Sequence, residues 1–327
     1  MNILFYCPHY KPTYNKGDTA YLHNIVTYLQ SYHDCIVMCK NVTTEYSYDN
    51  VKVIPRCTGL FKKADLIICQ LDVLREVVNI APNVPTIWIM HNTFKHITIE
   101  ANTQVGVIYN SEAAKVQKPL PNDSFVLPPP VDYDYYEGTP GDYITLINCN
   151  ENKGGKIVHE IAKRMPFHNF LQVKGSYGTQ YVSTDDPQPV INMDNNAITY
   201  GLGKLPNVTV IENQADIRSV YAMTRILLMP SDYESWGMTA TEAMCSGIPV
   251  ICTPTFGLKE NVGNSGIFVE RNNIDDWVKE IQRLDGKKEY TAASDAARKR
   301  AKELDSKPKL EKLRHWIEKF INKHTHV

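Results

Sequence analysis

Short apolar runs alternate with amphipathic stretches along almost the whole chain. The runs have the length of β-strands, and they are Ile3–Cys7, Cys35–Cys39, Val51–Ile54, Leu66–Gln70, Thr86–Met90, Val105–Tyr109, Ser124–Leu127, Tyr143–Asn148, Phe170–Lys174, Val208–Ile211, Ile226–Met229, Pro249–Cys252 and Gly266–Val269. Between them, Ala20–Ser31 and Lys156–Met165 have helical spacing. Such alternation is typical of βα units around parallel sheets with helices on both faces. The pattern therefore predicts an α/β fold.

A cluster of proline and glycine interrupts the alternation near the middle of the chain. Pro128–Pro130 leads into an aromatic and acidic stretch that ends at Gly138–Gly141. Such clusters break helices and strands and often mark a linker. A chain of 327 residues also suits two domains of ordinary size. We therefore predict two Rossmann-like domains, 1–138 and 139–305, which face each other across a cleft, followed by a helix over 306–327.

Two later segments depart from the alternation. The segment Tyr177–Leu205 is polar, contains three glycines and two prolines, and is interpreted as a long loop or lid. From Asp275 onward the pattern is helical, and one apolar stripe at helical spacing comprises Leu310, Leu313, Trp316, Ile317, Phe320 and Ile321. We assign this stripe to the core rather than to a membrane, because the opposite face is mixed in charge rather than solidly basic.

Composition and charge exclude several classes of protein. The hydrophobic share is 43%, the charged share is 22%, and the formal net charge is −1, so no overall basic field attracts nucleic acid or anionic lipid. The apolar start is too short for a signal peptide, and no run approaches the length needed to cross a bilayer. The eight cysteines form no Cys-x-x-Cys pair. We expect a reducing cytoplasmic location, that of a host if a virus encodes the chain, without stable membrane insertion.

The segment Arg225–Glu260 has the richest candidate chemistry. A buried strand is followed by a polar turn that contains Glu234, and a helix begins near Met238 or Thr239, with Glu242 in its first turns. The amides at such a helix start attract a diphosphate. The candidate residues for binding a diphosphate-containing ligand in this turn and helix start are Ser235, Trp236, Gly237, Met238 and Thr239.

Glu234 and Glu242 can act on two parts of one ligand. Eight residues of helical rise place two carboxylates roughly 12 Å apart. That separation is of the order of the distance between a hexose and a ribose joined by a diphosphate. One carboxylate can then bind sugar hydroxyls and the other the ribose diol. The alternative is a solvated surface pair and an ordinary carboxylate at a helix start.

These motifs resemble the retaining glycosyltransferases of family 4, which have the GT-B fold. The family signature is Pro-Ser, a variable pair, Glu-x7-Glu, Ala-Met and Gly-x-Pro-Val. The chain has it in the same order and spacing, as Pro230-Ser231, Glu234, Glu242-Ala243-Met244 and Gly247-Ile248-Pro249-Val250. Further segments that resemble the family are Asn15–Asp18, Ile89–Thr93, Val107–Ala113, Leu127–Asp132 and Ile147–Gly154.

The resemblance implies an activity and a set of site residues. The donor would be a nucleotide-diphosphate sugar, with UDP as the expected nucleotide, bound by the C-terminal domain, and the acceptor would lie on the N-terminal domain. The catalytic residues would be His91, Lys153 and Glu234. Donor contacts are expected from Lys16, Gly17, Gly154 and Glu242, and from Asn213 after the strand Val208–Ile211. The final helix would cross back onto the N-terminal domain.

Some features depart from the family or leave alternatives open. Many relatives have an arginine shortly before the lysine of the diphosphate loop, where this chain has Asn150 and Asn152, and the usual double glycine of the N-terminal loop is reduced to Gly17. His91 could instead be a core histidine and Lys153 an ordinary loop lysine. The pair Asp132 and Asp134 has the spacing of a metal motif but lies in the linker, so we predict no metal and no cofactor beyond the donor.

Several functions remain open. The default acceptor is a carbohydrate or glycoconjugate. An alternative acceptor is a hydroxymethylated base in DNA, which a basic and aromatic face could contact through Tyr10, Lys11, Tyr14, Lys16, Phe61, Lys62, Lys63, Phe94 and Lys95. Phosphorylase-like enzymes and nucleotide-sugar epimerases share the fold, although the Glu-x7-Glu context favours transfer. The missing arginine keeps a catalytically inactive nucleotide-sugar binder as a further alternative.

Overall fold

The computed structural model describes residues 1–12, 14, 16–93, 104–185, 189–191 and 197–325. The chain divides into two compact units, Met1–Pro130 with Ser306–Val327, and Val131–Asp305. The first boundary therefore lies eight residues before position 138, where the sequence placed it. The reason is that the short helix Tyr133–Tyr136 packs within the second unit, where the backbone carbonyl of Tyr136 accepts a hydrogen bond from Ser246 at 2.6 Å.

The first unit is built on an eight-stranded sheet. Its strands are β1 Asn2–Cys7, β2 Asp34–Cys39, β3 Tyr46–Tyr48, β4 Val51–Pro55, β5 Leu66–Gln70, β6 Thr86–Met90, β7 Val105–Tyr109 and β8 Ser124–Val126. Their order across the sheet is β3-β4-β2-β1-β5-β6-β7-β8. All pairs are parallel except β3 with β4. The strands predicted in this part of the chain are confirmed, whereas the half-exposed β3 was missed.

Helices cover this sheet. They are α1 Gly17–Leu29, α2 Thr58–Phe61, α3 Leu74–Ile80 and α4 Glu112–Gln117. The central strands are buried along their whole length, as expected for a parallel sheet that is covered on both faces. Helix α1 buries one face against them through Leu22, Ile25 and Leu29, which are fully buried.

The second unit contains a six-stranded parallel sheet and a smaller three-stranded one. The strands are β9 Tyr143–Ile147, β10 Phe170–Val173, β11 Thr179–Val182, β12 Val190–Ile191, β13 Ile198–Gly201, β14 Val208–Ile211, β15 Thr224–Met229, β16 Val250–Cys252 and β17 Ile267–Phe268. The main sheet has the order β14-β10-β9-β15-β16-β17, and its strands were all predicted. Its helices are α5 Tyr133–Tyr136, α6 Gly155–Arg164, α7 Arg218–Tyr221, α8 Met238–Cys245, α9 Phe256–Val262, α10 Ile274–Arg283 and α11 Lys287–Glu303.

The interpretation of Tyr177–Leu205 as a loop was wrong for the part that the structure describes. Strands β11, β13 and β12 pair there into a separate small sheet. The polar composition concealed it because most of these strand residues are half-buried or exposed and so do not form a continuous apolar run. The segments 186–188 and 192–196 lie outside the described residues.

The last helix, α12 Lys307–Thr325, belongs to the first unit. Its stripe of Leu310, Leu313, Ile317, Phe320 and Ile321 lies in the same apolar cluster as β1 and α1, which confirms that the stripe is core. Gly106 packs closely opposite it, because a Cβ there would lie 3.0 Å from the ring of Phe320. Within the described ranges, no helix is both long enough and apolar enough to span a membrane.

Candidate functional site

Two loops of the second unit lie side by side. One follows β9 and runs over 148–155, and the other follows β15 and runs over 230–237. Since β9 and β15 are adjacent parallel strands, both loops leave the sheet at its carboxyl edge. That edge is where open α/β sheets bind their ligands.

The first loop is shaped by Asn150 and Gly154. The side chain of Asn150 accepts a hydrogen bond from the backbone N–H of Lys153 at 3.0 Å and so caps a short 3-10 turn, Glu151–Lys153. Gly154 has a φ of 91°, and a Cβ there would lie 2.4 Å from Cγ of Pro230. Only glycine accepts both constraints, so Gly154 allows the two loops to approach each other.

Lys153 and Glu234 meet between these loops. The Lys153 ammonium donates a hydrogen bond to Oε1 of Glu234, and the hydroxyl of Ser231 donates to the same oxygen at 3.0 Å. The side chains of Lys153 and Glu234 are 23% and 11% exposed, so water screens the pair only weakly. Burial alone would lower the pKa of Lys153, but the Glu234 carboxylate outweighs it and raises that pKa above its ordinary value. Lys153 is therefore a fixed cation.

Buried side-chain hydrogen bonds stabilise the turn that precedes α8. The indole of Trp236 is buried, and its N–H donates to the hydroxyl of Thr241 at 3.1 Å. The amide of Asn261 donates to the backbone carbonyls of Trp236 and Gly237 at 3.1 and 2.9 Å. The side chain of Trp236 and its backbone carbonyl thus both serve the fold.

Helix α8 begins directly after this turn. Gly237 caps it with a φ of 86°, and a Cβ there would lie 2.7 Å from Leu258. The first amides of a helix have no partner within the helix, and they carry its positive dipole end. Ser235, Met238 and Thr239 are half-buried around this helix start. An anion at the carboxyl edge of β15 would therefore meet these amides.

Glu242 lies one turn further along α8. Its residue is 4% exposed, and Oε2 accepts a hydrogen bond from the hydroxyl of Tyr221 at 2.6 Å. Burial and then the Glu242 carboxylate raise the pKa of Tyr221, and the same two causes raise that of Tyr136. These phenols therefore stay protonated, as donors to a carboxylate must be.

Asn213 lies apart from the residues described above, after β14. Its side chain is exposed, and its amide donates to the backbone carbonyl of Lys174 at 3.4 Å. Lys174 in turn forms an ion pair with Glu212. The strand β14 is at the edge of the same sheet, so Asn213 lies at the carboxyl edge but three strands away from β15.

The sequence placed three site residues in the first unit. His91 follows β6, its Nε2 lies 2.7 Å from Oε1 of Gln70, and its ring contacts that of Tyr21 edge-on with centroids 5.4 Å apart. Burial lowers the pKa of His91 below 6.5, while Asp18 opposes this, so the ring is neutral near pH 7. A neutral ring donates one N–H and accepts at its other nitrogen.

Lys16 and Gly17 form the start of α1. Lys16 is the N-cap residue, and its ammonium contacts the hydroxyl of Tyr14 and lies 4.0 Å from the centroid of that ring. A Cβ at Gly17 would meet none of the described residues within 4 Å, so these residues do not require glycine there. The neighbouring Thr13 and Asn15 lie outside the described residues.

Two aromatic residues of the basic and aromatic face suggested for DNA are buried in the first unit. Tyr10 is 1% exposed and Phe61 is fully buried, so neither ring is available to stack on a base. Tyr10 instead contacts His23 at 2.7 Å, and Phe61 packs edge-on against Tyr6. The pattern misled because both aromatics belong to the core. Phe94 and Lys95 lie outside the described residues.

Asp132, in the linker pair Asp132 and Asp134, has a structural role. Oδ1 of Asp132 accepts hydrogen bonds from the backbone N–H groups of Asp134 and Tyr135 at 3.1 and 3.4 Å and so caps α5. Among the residues that the structure describes, no three His, Cys, Asp or Glu side chains are grouped as metal ligands.

Sequence reasoning missed Gln180, Tyr221 and Asn261. Gln180 is fully buried, and its amide oxygen accepts from the backbone N–H groups of Cys149 and Gly175, each at 2.8 Å. It therefore joins the loops after β9 and β10. No local pattern signals these three roles, because each depends on a partner distant in the sequence.

Comparison with known proteins agrees with this architecture. The chain has the GT-B fold. Its structure superimposes on sucrose-phosphate synthase of Thermosynechococcus elongatus with a TM-score of 0.74 and 16% identity, covering 97% of this chain and 98% of that one. It also superimposes on Anabaena HepE in complex with UDP and glucose with a TM-score of 0.72 and 16% identity, covering 98% and 100%.

The family-model match lies within the second unit. Residues 194–300 match the family model of glycosyl transferases group 1. Over 60 residues the chain is 38% identical to O-antigen chain mannosyltransferase B of Escherichia coli. That match covers 18% of this chain and 16% of the mannosyltransferase, so the chain spans a small part of that relative. The segment 194–300 that matches the family model contains both Glu234 and Glu242.

Proposed function

We propose that this chain is a retaining glycosyltransferase whose donor is a nucleotide-diphosphate sugar, with UDP as the expected nucleotide. The observation that carries the proposal is the Lys153–Glu234 pair, placed by the loops after β9 and β15. The start of α8 follows in the same loop as Glu234. A fixed cation, a carboxylate and free helix amides are the groups that a sugar diphosphate requires. The family match over 194–300 and the GT-B fold support the same class of reaction.

Each part of the donor has a suitable partner. Lys153 and the α8 amides would bind the diphosphate, and Gly154 would let its backbone approach. Glu234 would accept hydrogen bonds from sugar hydroxyls. Glu242, held by Tyr221, would bind the ribose diol. A diphosphate at Lys153 would compete with Glu234 for the ammonium, which would turn the carboxylate toward the sugar.

The reaction needs positioning and charge stabilisation rather than a protein nucleophile. The acceptor oxygen forms a bond to the anomeric carbon as the bond from that carbon to the phosphate oxygen breaks. The acceptor proton passes to the departing phosphate oxygen on the same face, so the anomeric configuration is retained. Lys153 and the helix amides stabilise the negative charge that develops on the leaving group. The proposed mechanism is therefore metal-independent.

The resemblance also suggests roles for three residues of the first unit. His91, neutral because burial lowers its pKa, would contact the donor sugar or the leaving phosphate. Lys16 and Gly17, at the start of α1, are further candidates for donor contacts. The proposed acceptor is a hydroxyl of a carbohydrate or glycoconjugate.

A donor screen tests this function. Purified protein is mixed with UDP-, GDP- and ADP-sugars, with and without EDTA, while the melting temperature and slow donor hydrolysis are recorded. We expect stabilisation by one nucleotide family and EDTA-insensitive hydrolysis that Glu234→Gln abolishes. Glu303→Gln, which removes an exposed carboxylate paired with Arg300, is the matched control and should leave both unchanged. Absence of any shift with every nucleotide sugar would contradict the proposal.

A further inference from the structure

Arg271 connects the two loops of the proposed site from outside the signature segment. It lies in the turn between β17 and α10. Its Nε donates to the backbone carbonyl of Pro230 at 3.0 Å, and its Nη2 donates to the backbone carbonyl of Glu151 at 2.6 Å. One planar guanidinium thus holds the loop of Glu234 and the loop of Lys153 at the same time.

Other contacts make this connection rigid. The indole N–H of Trp277, which is fully buried, contacts the backbone carbonyls of Glu270 and Arg271 at 3.1 and 3.3 Å. The backbone that carries Arg271 is therefore fixed to α10. A direct bond also joins the loops, from the N–H of Asp232 to the carbonyl of Asn152 at 2.8 Å.

We propose that Arg271 is a positioning residue that sets the separation of Lys153 and Glu234 through the main chains of their loops. The inference rests on the proposed function, since its value lies in placing these two side chains against a donor. Glu151 is two residues before Lys153, and Pro230 is four residues before Glu234, so a shift of either carbonyl moves a reacting side chain. Displacements of about 1 Å are enough to reduce an enzymatic rate about a hundredfold.

The guanidinium is suited to this task in a way that an ammonium is not. Its donors lie in one plane and point in fixed, different directions, so two carbonyls on separate loops can be held at a defined spacing. A lysine at 271 could donate to either carbonyl but would not fix the angle between them. The variant Arg271→Lys should therefore keep only part of the ability of Arg271 to position the two loops.

The test combines hydrogen exchange with kinetics in the full chain. The variants are Arg271→Met, which keeps a long side chain without donors, and Arg271→Lys. The matched control is Arg283→Met, which removes an arginine paired with Glu280 on α10. Amide exchange is followed in 149–156 and 229–236 and in the rest of the second unit, and kcat and KM are measured for donor hydrolysis.

For Arg271→Met we expect exchange about tenfold faster, or more, in those two segments alone. We also expect kcat to fall about 10- to 100-fold with little change in KM, because the loops still bind the donor but misplace the reacting groups. Arg271→Lys should lie between, and Arg283→Met should match the wild type. Unchanged exchange in the two segments, or uniform acceleration throughout the unit, would overturn the positioning role. A wild-type protein that hydrolyses no donor would contradict the proposed function instead. The exchange data would still show whether Arg271 holds the two loops in place.

Discussion

The ammonium of Lys153 donates a hydrogen bond to the carboxylate of Glu234, although 81 residues separate them in the sequence. Two adjacent strands, β9 and β15, bring them together at the carboxyl edge of one sheet. A partly buried pair of this kind is costly to assemble and costly to break on one side only. Its position at a ligand-binding edge is therefore better explained by function than by stability.

Breaking this pair on one side should destabilise the second unit. Lys153→Met and Glu234→Gln are each expected to lower the free energy of unfolding by about 1–3 kcal/mol, because each leaves a polar partner without its bond. The double variant should lose less than the sum of the two, by about 1–2 kcal/mol. Urea unfolding of the four proteins measures this coupling.

The control for this cycle is the pair Lys156–Glu151 at 2.6 Å, whose side chains are 49% and 51% exposed. Solvent screens that pair, so its coupling should be close to zero. Equal coupling in the two cycles would contradict the idea that burial distinguishes the Lys153–Glu234 pair.

Removing the hydroxyl of Tyr221 should weaken nucleotide binding while the chain stays folded. Tyr221→Phe deletes one of the phenol donors to the Glu242 carboxylate, so the carboxylate is held less firmly in the orientation that faces a ribose. We expect UDP to bind about 5- to 20-fold more weakly, from a loss of about 1–2 kcal/mol. Titration calorimetry measures the change.

Tyr290→Phe is the matched control for Tyr221→Phe. Its hydroxyl donates to the backbone carbonyl of Arg225, at the amino end of β15 and so at the opposite edge of the sheet. UDP affinity should not change in that variant. If both variants weaken binding equally, Glu242 does not contact the nucleotide in the proposed way.

Alanine substitutions at Gly154 and Gly178 should distinguish the cost of backbone strain from the cost of close packing. Both have positive φ, 91° and 68°, but a Cβ at Gly154 would lie 2.4 Å from Pro230, whereas a Cβ at Gly178 would meet no described residue within 4 Å. Gly178→Ala should cost about 1 kcal/mol from strain alone. Gly154→Ala should cost about 2 kcal/mol more and abolish donor hydrolysis, because the loops must separate. Thermal unfolding measures both stabilities. Equal melting temperatures of the two variants would contradict the role given to Gly154.

Acidification should destabilise the first unit partly through His91. Burial lowers the pKa of folded His91 below 6.5, whereas the unfolded residue titrates near 6.5. The unfolded state therefore binds more protons between the two values, and stability is lost as pH falls through 6.5 toward the folded pKa. We expect His91→Gln to show a smaller loss of melting temperature between pH 7.5 and 5 than the wild type.

Other histidines contribute with the same sign, so the effect of His91→Gln is partial. Burial also lowers the pKa values of His23 and His159. The control is His315→Gln, at an exposed position of α12. A pH dependence in His91→Gln identical to that of the wild type and of this control would contradict a buried neutral ring.

Much of the fold could be predicted because its strands are buried on both faces. Runs such as Leu66–Gln70 and Thr86–Met90 are continuous in apolar character, and the structure confirms both bounds. The stripe that ends at Ile321 was equally clear at helical spacing. By contrast, β3 and the strands β11–β13 are short and half-exposed, so their residues carry no periodic signal.

The candidate site was predictable only where its chemistry is local. Glu234, Gly237 and Glu242 share one turn and helix, so their spacing is visible in the sequence. Arg271 and Gln180 act on backbone atoms of distant loops, and no residue pattern encodes a main-chain carbonyl as a partner. Tyr10 and Phe61 show the reverse error, because an aromatic next to a lysine in sequence can still belong to the core.

A crystal structure of the chain with bound UDP tests the central claim most directly. We expect a phosphate oxygen within hydrogen-bond distance of the Lys153 ammonium, a second one at the amides of Met238 and Thr239, and the ribose diol on Glu242. Soaked Glu242→Gln crystals should then show weaker nucleotide density at the same position. UDP bound away from the carboxyl ends of β9 and β15, with Lys153 still bonded to Glu234, would contradict the assignment of the donor site.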